Sequence, residues 1–157
     1  KNRSGVMPEG GMIFLDVDGV LNTDLMTSHP SKLHSKLVGR LANIMTKTAS
    51  SIVVSSTWRR DVNYMDILTK YLVDAGVDAE MLVGSTPVLA GSEGESREAV
   101  RIREISSFLV DNPPAEGARV VVLDDLDLSA IEANSPTPLH ELKFVKTNPE
   151  SGLSERN

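Results

Sequence analysis

The chain has no cysteine, no long apolar run and fewer positive than negative side chains. Without cysteine there is no disulfide framework, which fits a reducing compartment. No stretch approaches the length that crosses a membrane, and the first residues lack the apolar centre of a signal peptide. An intracellular, cytoplasmic setting with no membrane partner is therefore expected. Because the chain opens at Lys1 rather than at a methionine, a trimmed or incompletely observed product is also expected, with room for a targeting segment upstream. Lysine and arginine number 16 against 22 aspartates and glutamates, a formal net charge of −6. Such a surface does not attract nucleic acid or anionic lipid as a whole. It leaves room for a local basic patch, or for an acidic metal site that works on phosphates. No Gly-rich Lys-Ser or Lys-Thr segment exists, so a P-loop is excluded. No repeat is visible, and 157 residues make one domain large enough to bury a core.

What the chain does have is concentrated at two places. Met12-Ile13-Phe14-Leu15 runs into Asp16-Val17-Asp18-Gly19, and Val120-Val121-Val122-Leu123 runs into Asp124-Asp125. Short apolar runs of this kind read as strands buried on both faces of a parallel sheet. Like charges at the end of a buried strand are unfavourable unless a cation or a reaction uses them. Two such strands point to one shared divalent-metal site at the carboxyl edge of the sheet, where open α/β sheets bind ligands.

The rest of the chain alternates. Residues 1–11 read as a flexible, Gly-rich lead-in. Leu33, Leu37, Leu41, Ile44 and Met45 form a stripe that predicts a helix over 32–47. Ile52-Val53-Val54 is a short β-branched strand running into Ser55-Ser56-Thr57. A second helix is predicted over 61–75, with Met65, Leu68 and Leu72 inward and Gly76 as its stop. A short strand at 81–83 precedes a third helix over 97–110, presenting Val100 or Ala99, then Ile105, Phe108 and Leu109. Asn112-Pro113-Pro114 closes that helix. A strand over 119–123, a short turn or helix through Ala133, a strand over 142–145 and a polar tail over 148–157 complete the pattern. The alternation calls for an α/β fold, a doubly wound, Rossmann-like, mainly parallel sheet of about five strands. The domain itself is expected to span 12–147.

Carboxylates bind Mg²⁺, a hydroxyl holds a phosphoryl oxygen, and a fixed cation neutralises the remaining charge. Phosphoryl transfer needs that combination. Asp16-Val17-Asp18-Gly19, Ile52-Val53-Val54-Ser55, a basic residue at Arg101 or Arg103, and Val122-Leu123-Asp124-Asp125 supply it in order. Together they resemble the four motifs of the haloacid dehalogenase (HAD) superfamily of Mg²⁺-dependent phosphohydrolases, over residues 12–145. Val54-Ser55-Ser56-Thr57-Trp58-Arg59, and Val145-Lys146-Thr147 through Gly152-Leu153, look like one subgroup, the HAD domain of Swiss Army Knife RNA-repair proteins.

The resemblance implies a role for each matched residue. Asp16 is the nucleophile and becomes an aspartyl-phosphate. Asp18 acts as general acid and then as base. The Asp16 carboxylate, the Asp18 carbonyl and Asp124 ligate Mg²⁺, with Asp125 on a metal-bound water or behind the ligands. Ser55 bonds the phosphoryl group, and Gly19 lets the chain turn sharply beside it. The superfamily's basic residue is most often lysine, whereas only arginines stand here. Spacing to Glu104-Ile105 favours Arg101 over Arg103, and arginine neutralises charge with a different geometry.

Each of these residues also has a plainer reading. Strand-end acids and serines often do no more than start a solvated loop, and only the second acid pair and Ser55 together outweigh that for Asp16 and Asp18. Ser56, Trp58, Arg59 and Arg103 are the substrate-binding candidates, as a stacking ring and phosphate clamps. The competing view makes Trp58 an anchor for the next helix and the arginines solvated. Asp127 reads as a helix-start acid, and Lys146 as a weak candidate at a strand end. His29, His34 and His140 share no spacing and read as surface residues.

Large inserted caps usually enclose small substrates in this superfamily, and neither gap between motifs has room for one. An open site admits a bulky phosphomonoester, with a nucleic-acid 3′- or 5′-phosphate as first choice. The loops at 23–31 and 84–96 then serve as small lids. Two other classes compete. A receiver domain needs its aspartate at the end of a middle strand, where this chain has Ser55-Ser56-Thr57. A catalytically silent HAD-like module that binds nucleic acid or a protein partner suits the arginine in place of lysine.

Overall fold

The computed structural model describes residues 10–25, 32–129 and 142–157. They form strands β1 (Met12–Leu15), β2 (Ser51–Val54), β3 (Leu82–Ser85), β4 (Val120–Asp124) and β5 (Leu142–Lys146). Helices α1 (Ser35–Thr48), α2 (Val62–Asp74) and α3 (Arg97–Asp111) alternate with the first four strands. The sheet is parallel throughout, in the order β3-β2-β1-β4-β5. This is the doubly wound, Rossmann-like α/β arrangement. Every residue of β1 and β2 is buried, which is why both read as unbroken apolar runs.

From β1 the chain steps to β2 and β3 on one side, then returns to place β4 on the other. The strand order reverses between β1 and β4, and a crevice opens there at the carboxyl edge. Alternate residues of each strand face opposite layers. Ile13, Leu15, Ile52 and Val54 pack with Leu41 of α1 and Leu68 of α2. Phe14, Val53 and Val122 pack with Ile102, Ile105 and Phe108 of α3. The Phe14 and Phe108 rings meet edge to face at 5.6 Å.

Departures from the sequence expectation are local and have identifiable causes. α1 starts at Ser35, because the His34 ring accepts a hydrogen bond from the Lys36 N–H and caps the helix there. Ile44 is 38 % exposed, and Val38 and Ala42 take the core positions instead. A 3-10 turn over Ala79–Met81, capped by Asp78, occupies Met81 and delays β3 by one residue. α2 ends at Asp74, with Gly76 behind it at φ +91°.

The larger departure is at residues 148–157, expected as a polar tail. Leu153 is 3 % exposed and belongs to the core under α1. Its N–H donates to the Val20 carbonyl at 2.8 Å, and Arg40 Nη1 donates to the Leu153 carbonyl at 3.0 Å. A single apolar residue in a polar run carries no periodic signal, so the docking is invisible to pattern reading. Residues 1–9 of the lead-in, 26–31 of the first loop, and 130–141 with the turn or helix through Ala133 lie outside the described residues. Among the described residues there is no separate cap domain. None of the described helices is long and apolar enough to cross a membrane.

Candidate functional site

Leu123, Leu15, Val54 and Ser85 are partners across four neighbouring strands. The residues that follow them, Asp124, Asp16, Ser55 and Thr86, therefore stand in a row at the carboxyl edge. Backbone bonds carry the alignment past the strand ends: Asp16 N–H donates to Leu123 O, Ser55 N–H to Leu15 O, and Thr86 N–H to Val54 O. Alternation turns these side chains to the α3 face, like Phe14, Val53 and Val122 one pleat earlier.

Asp16, Asp124 and Asp125 each present a carboxylate oxygen within 4.8 Å of the other two. Arg101, in the second turn of α3, reaches down to them. Its Nη1 lies 2.6 Å from Asp124 Oδ2 and 3.6 Å from Asp16 Oδ1. Burial, reinforced by the neighbouring Asp124, pushes the Asp16 carboxyl up to about 7, with Arg101 offsetting part of the effect. Burial also raises Asp124, against the pull of Arg101. Behind Arg101 stands Glu104, whose Oε2 is 3.9 Å from Arg101 Nε and whose Oε1 is 2.7 Å from Arg59 Nη2.

Charge counting tests whether a cation fits. When ionised, the carboxylates of Asp16, Asp124, Asp125 and Glu104 face the guanidinium groups of Arg59 and Arg101, leaving two negative charges uncompensated. Uncompensated buried charge is strongly unfavourable, and one divalent ion balances it. Three carboxylates are the oxygen donors that hard divalent cations take. Ser55 adds a second sign of a missing ligand, since its hydroxyl is fully buried with no hydrogen-bond partner.

Asp18 is exposed, unlike Asp16 and Asp124. It accepts hydrogen bonds from Asn22 Nδ2 at 2.7 Å and from Trp58 Nε1, which sits 3.2 Å from both carboxylate oxygens. Gly19 follows at φ +76°, and a Cβ there would lie 2.7 Å from Asp125 Oδ2. Only glycine fits both demands. The Gly19 carbonyl accepts from the buried Thr147 hydroxyl at 2.7 Å, so the segment after β5 holds the loop that carries Asp18.

Several sequence candidates lie elsewhere. Arg103 does not reach the carboxylates, because it extends to Glu95 and to the Ala90 carbonyl. Two positions apart, the arginines lie on nearly opposite faces of α3: Arg101 faces the sheet and Arg103 the loop before the helix. Arg59, expected as a phosphate clamp, has its donors taken by the carbonyls of Ser56, Thr86 and Pro87 and by Glu104. Ser56 is buried and accepts from the Trp58 N–H, capping a 3-10 turn over Thr57–Arg60. Trp58 is 3 % exposed and stacks on Tyr64, so it offers no open face.

Lys146 pairs with Asp127 at 3.7 Å on the surface. His34 caps α1, and His29 and His140 lie outside the described residues. The loop expected as a second lid is pinned to α3 by a bond from Leu89 N–H to Glu104 and by Arg103. Sequence reading passed over Glu104, Asn22 and Thr147. A glutamate three residues after Arg101, on its helical face, and an asparagine four after Asp18 were the available signals.

Residues 12–157 match the family described as the HAD domain in Swiss Army Knife RNA repair proteins. The chain belongs to that family. HAD membership implies phosphohydrolase-type chemistry, and the carboxylate cluster is a set that can hold a divalent ion. No curated protein and no solved structure matches the chain.

Proposed function

We propose that this HAD domain is a Mg²⁺-dependent phosphohydrolase that works through an aspartyl-phosphate on a bulky phosphomonoester, such as a phosphorylated nucleic-acid end. The observation that carries the proposal is convergence at the β1/β4 switch point. Asp16, Asp124, Asp125 and Arg101 meet there, beside the unpartnered Ser55 hydroxyl.

In this reading an Asp16 oxygen attacks phosphorus, and the bond to the leaving oxygen breaks as Asp18 gives that oxygen its proton. Water then attacks the phosphorus of the aspartyl-phosphate while Asp18 takes up a proton. The bond to Asp16 breaks, releasing phosphate and restoring the carboxylate. Ser55 donates to a phosphoryl oxygen, and Arg101 offsets developing negative charge. Asp16, Asp124, Asp125 and the Asp18 carbonyl would hold Mg²⁺, which would supply neutralisation of the phosphoryl charge. The bulky substrate is supported by the exposure of Asp18 and by the lack of a cap among the described residues. The RNA-repair proteins that give the family its name favour a polynucleotide end.

Hydrolysis of 4-nitrophenyl phosphate with Mg²⁺, in the parent and in Asp16→Asn, tests the chemistry. Activity that disappears in the variant supports it. No turnover of any monoester overturns it in favour of a silent binding module, the reading that Arg101 in place of lysine favours. Turnover of 3′- or 5′-phosphorylated oligonucleotides over sugar phosphates is the expected preference, and the reverse order would sink the bulky-substrate claim.

A further inference from the structure

An exposed aspartate ordinarily samples several rotamers. Asp18 does not have that freedom. Trp58 Nε1 donates across both of its oxygens at 3.2 Å, and Asn22 donates to Oδ1 at 2.7 Å. Neither donor is itself loose. The indole is buried, and it lies on Tyr64 with ring centroids 4.9 Å apart and planes 30° from parallel. Its backbone N–H bonds Ser56 Oγ, which fixes the turn that follows β2. Asn22 in turn accepts from the Gly19 N–H at 3.0 Å. A buried indole N–H requires an acceptor, and the acceptor here is the carboxylate assigned to proton transfer. An anchor for α2 needs no N–H at all, since stacking on Tyr64 uses only the ring face.

We propose that Trp58, assisted by Asn22, is a positioning residue that aims Asp18 for proton transfer to the leaving group; this rests on the phosphohydrolase reading above. The turn that ends β2 thus delivers both the Ser55 hydroxyl and the anchor of the acid. Misaligning a general acid harms esters whose leaving oxygen must be protonated as its bond to phosphorus breaks. It spares esters whose leaving group departs as a stable anion.

Trp58→Phe keeps an aromatic ring at this buried position and removes the donor. Its kcat/KM, which reads events up to departure of the leaving group, is expected to fall about tenfold or more on a primary alkyl phosphate. On 4-nitrophenyl phosphate it is expected to stay within about twofold of the parent. Asn22→Ala should show the same selective loss, and it serves as the second variant where Trp58→Phe fails to fold. Equal losses on both esters, or none on either, would overturn the assignment.

Trp58 is the sole tryptophan, so its emission reads the contact directly in protein free of Mg²⁺. Asp18→Ala should shift that emission, and an unchanged spectrum would also overturn the assignment. A parent inactive on both esters and on phosphorylated oligonucleotides brings down the phosphohydrolase reading and this inference with it. A parent that is active and silenced by Asp16→Asn, with Trp58→Phe non-selective, brings down this inference alone.

Discussion

Asp16 carries the sharpest conflict in the molecule, a carboxylate sealed under α3 beside two others. Its value of about 7 stands above the ordinary 3.8. The folded chain therefore holds this proton more tightly than the unfolded chain. The stability it contributes is complete below the unfolded value, falls as pH rises between the two values, and levels off above the upper one. In metal-free protein the Tm advantage of Asp16→Asn over the parent should be larger at pH 8 than at pH 5. Mg²⁺ should stabilise the parent more at pH 8, where it no longer competes with the proton. Calorimetry at the two pH values checks this; a gap independent of pH would contradict it. At this scale the acids and Ser55 were legible because polar groups ending apolar strands are conspicuous. Arg59 and Ser56 were not, because their partners are carbonyls, Glu104 and a local N–H, which sequence does not advertise.

Between elements, Glu104 ties α3 to the ends of β2 and β3 through Arg59 and to the carboxylate cluster through Arg101. Both side chains of the Arg59–Glu104 pair are almost fully buried, at 3 % and 4 % exposure. Removing one partner strands the other charge, so Glu104→Ala should cost about 3–5 kcal/mol in urea denaturation. Replacing both with apolar residues of similar size should restore much of that loss. A single variant within about 1 kcal/mol of the parent would show that the pair is not closed to water. The strands and helices themselves were legible, since β1, β2 and β4 are continuous apolar runs and α1 and α2 have clear stripes. The extent of α3 was legible too, but its buried face was not, because it mixes Ile102 and Ile105 with Arg101 and Glu104. A stripe that is half charge escapes a hydrophobic pattern.

Across the whole molecule, the loop after β1 and the segment after β5 meet beside the site. Leu153→Ala should destabilise by about 2–5 kcal/mol, the usual range for emptying a buried leucine position. Phosphohydrolase activity should decline well below the melting temperature as the loop around Gly19 loosens. Thermal melts beside activity measured at 25 °C separate the two effects. An activity unchanged at that temperature would mean that the segment stabilises without shaping the loop. The fold class was legible from the alternation of elements; this closure was not, because it joins residues far apart through one leucine and one threonine.

That closure also bears on how the domain is born. Asp16 and Asp18 leave the ribosome ahead of Thr147 and Leu153, which grip the Gly19 and Val20 carbonyls and emerge more than a hundred residues later. In the nascent domain the loop that carries Asp18 therefore waits for both clamps long after its own residues have been made.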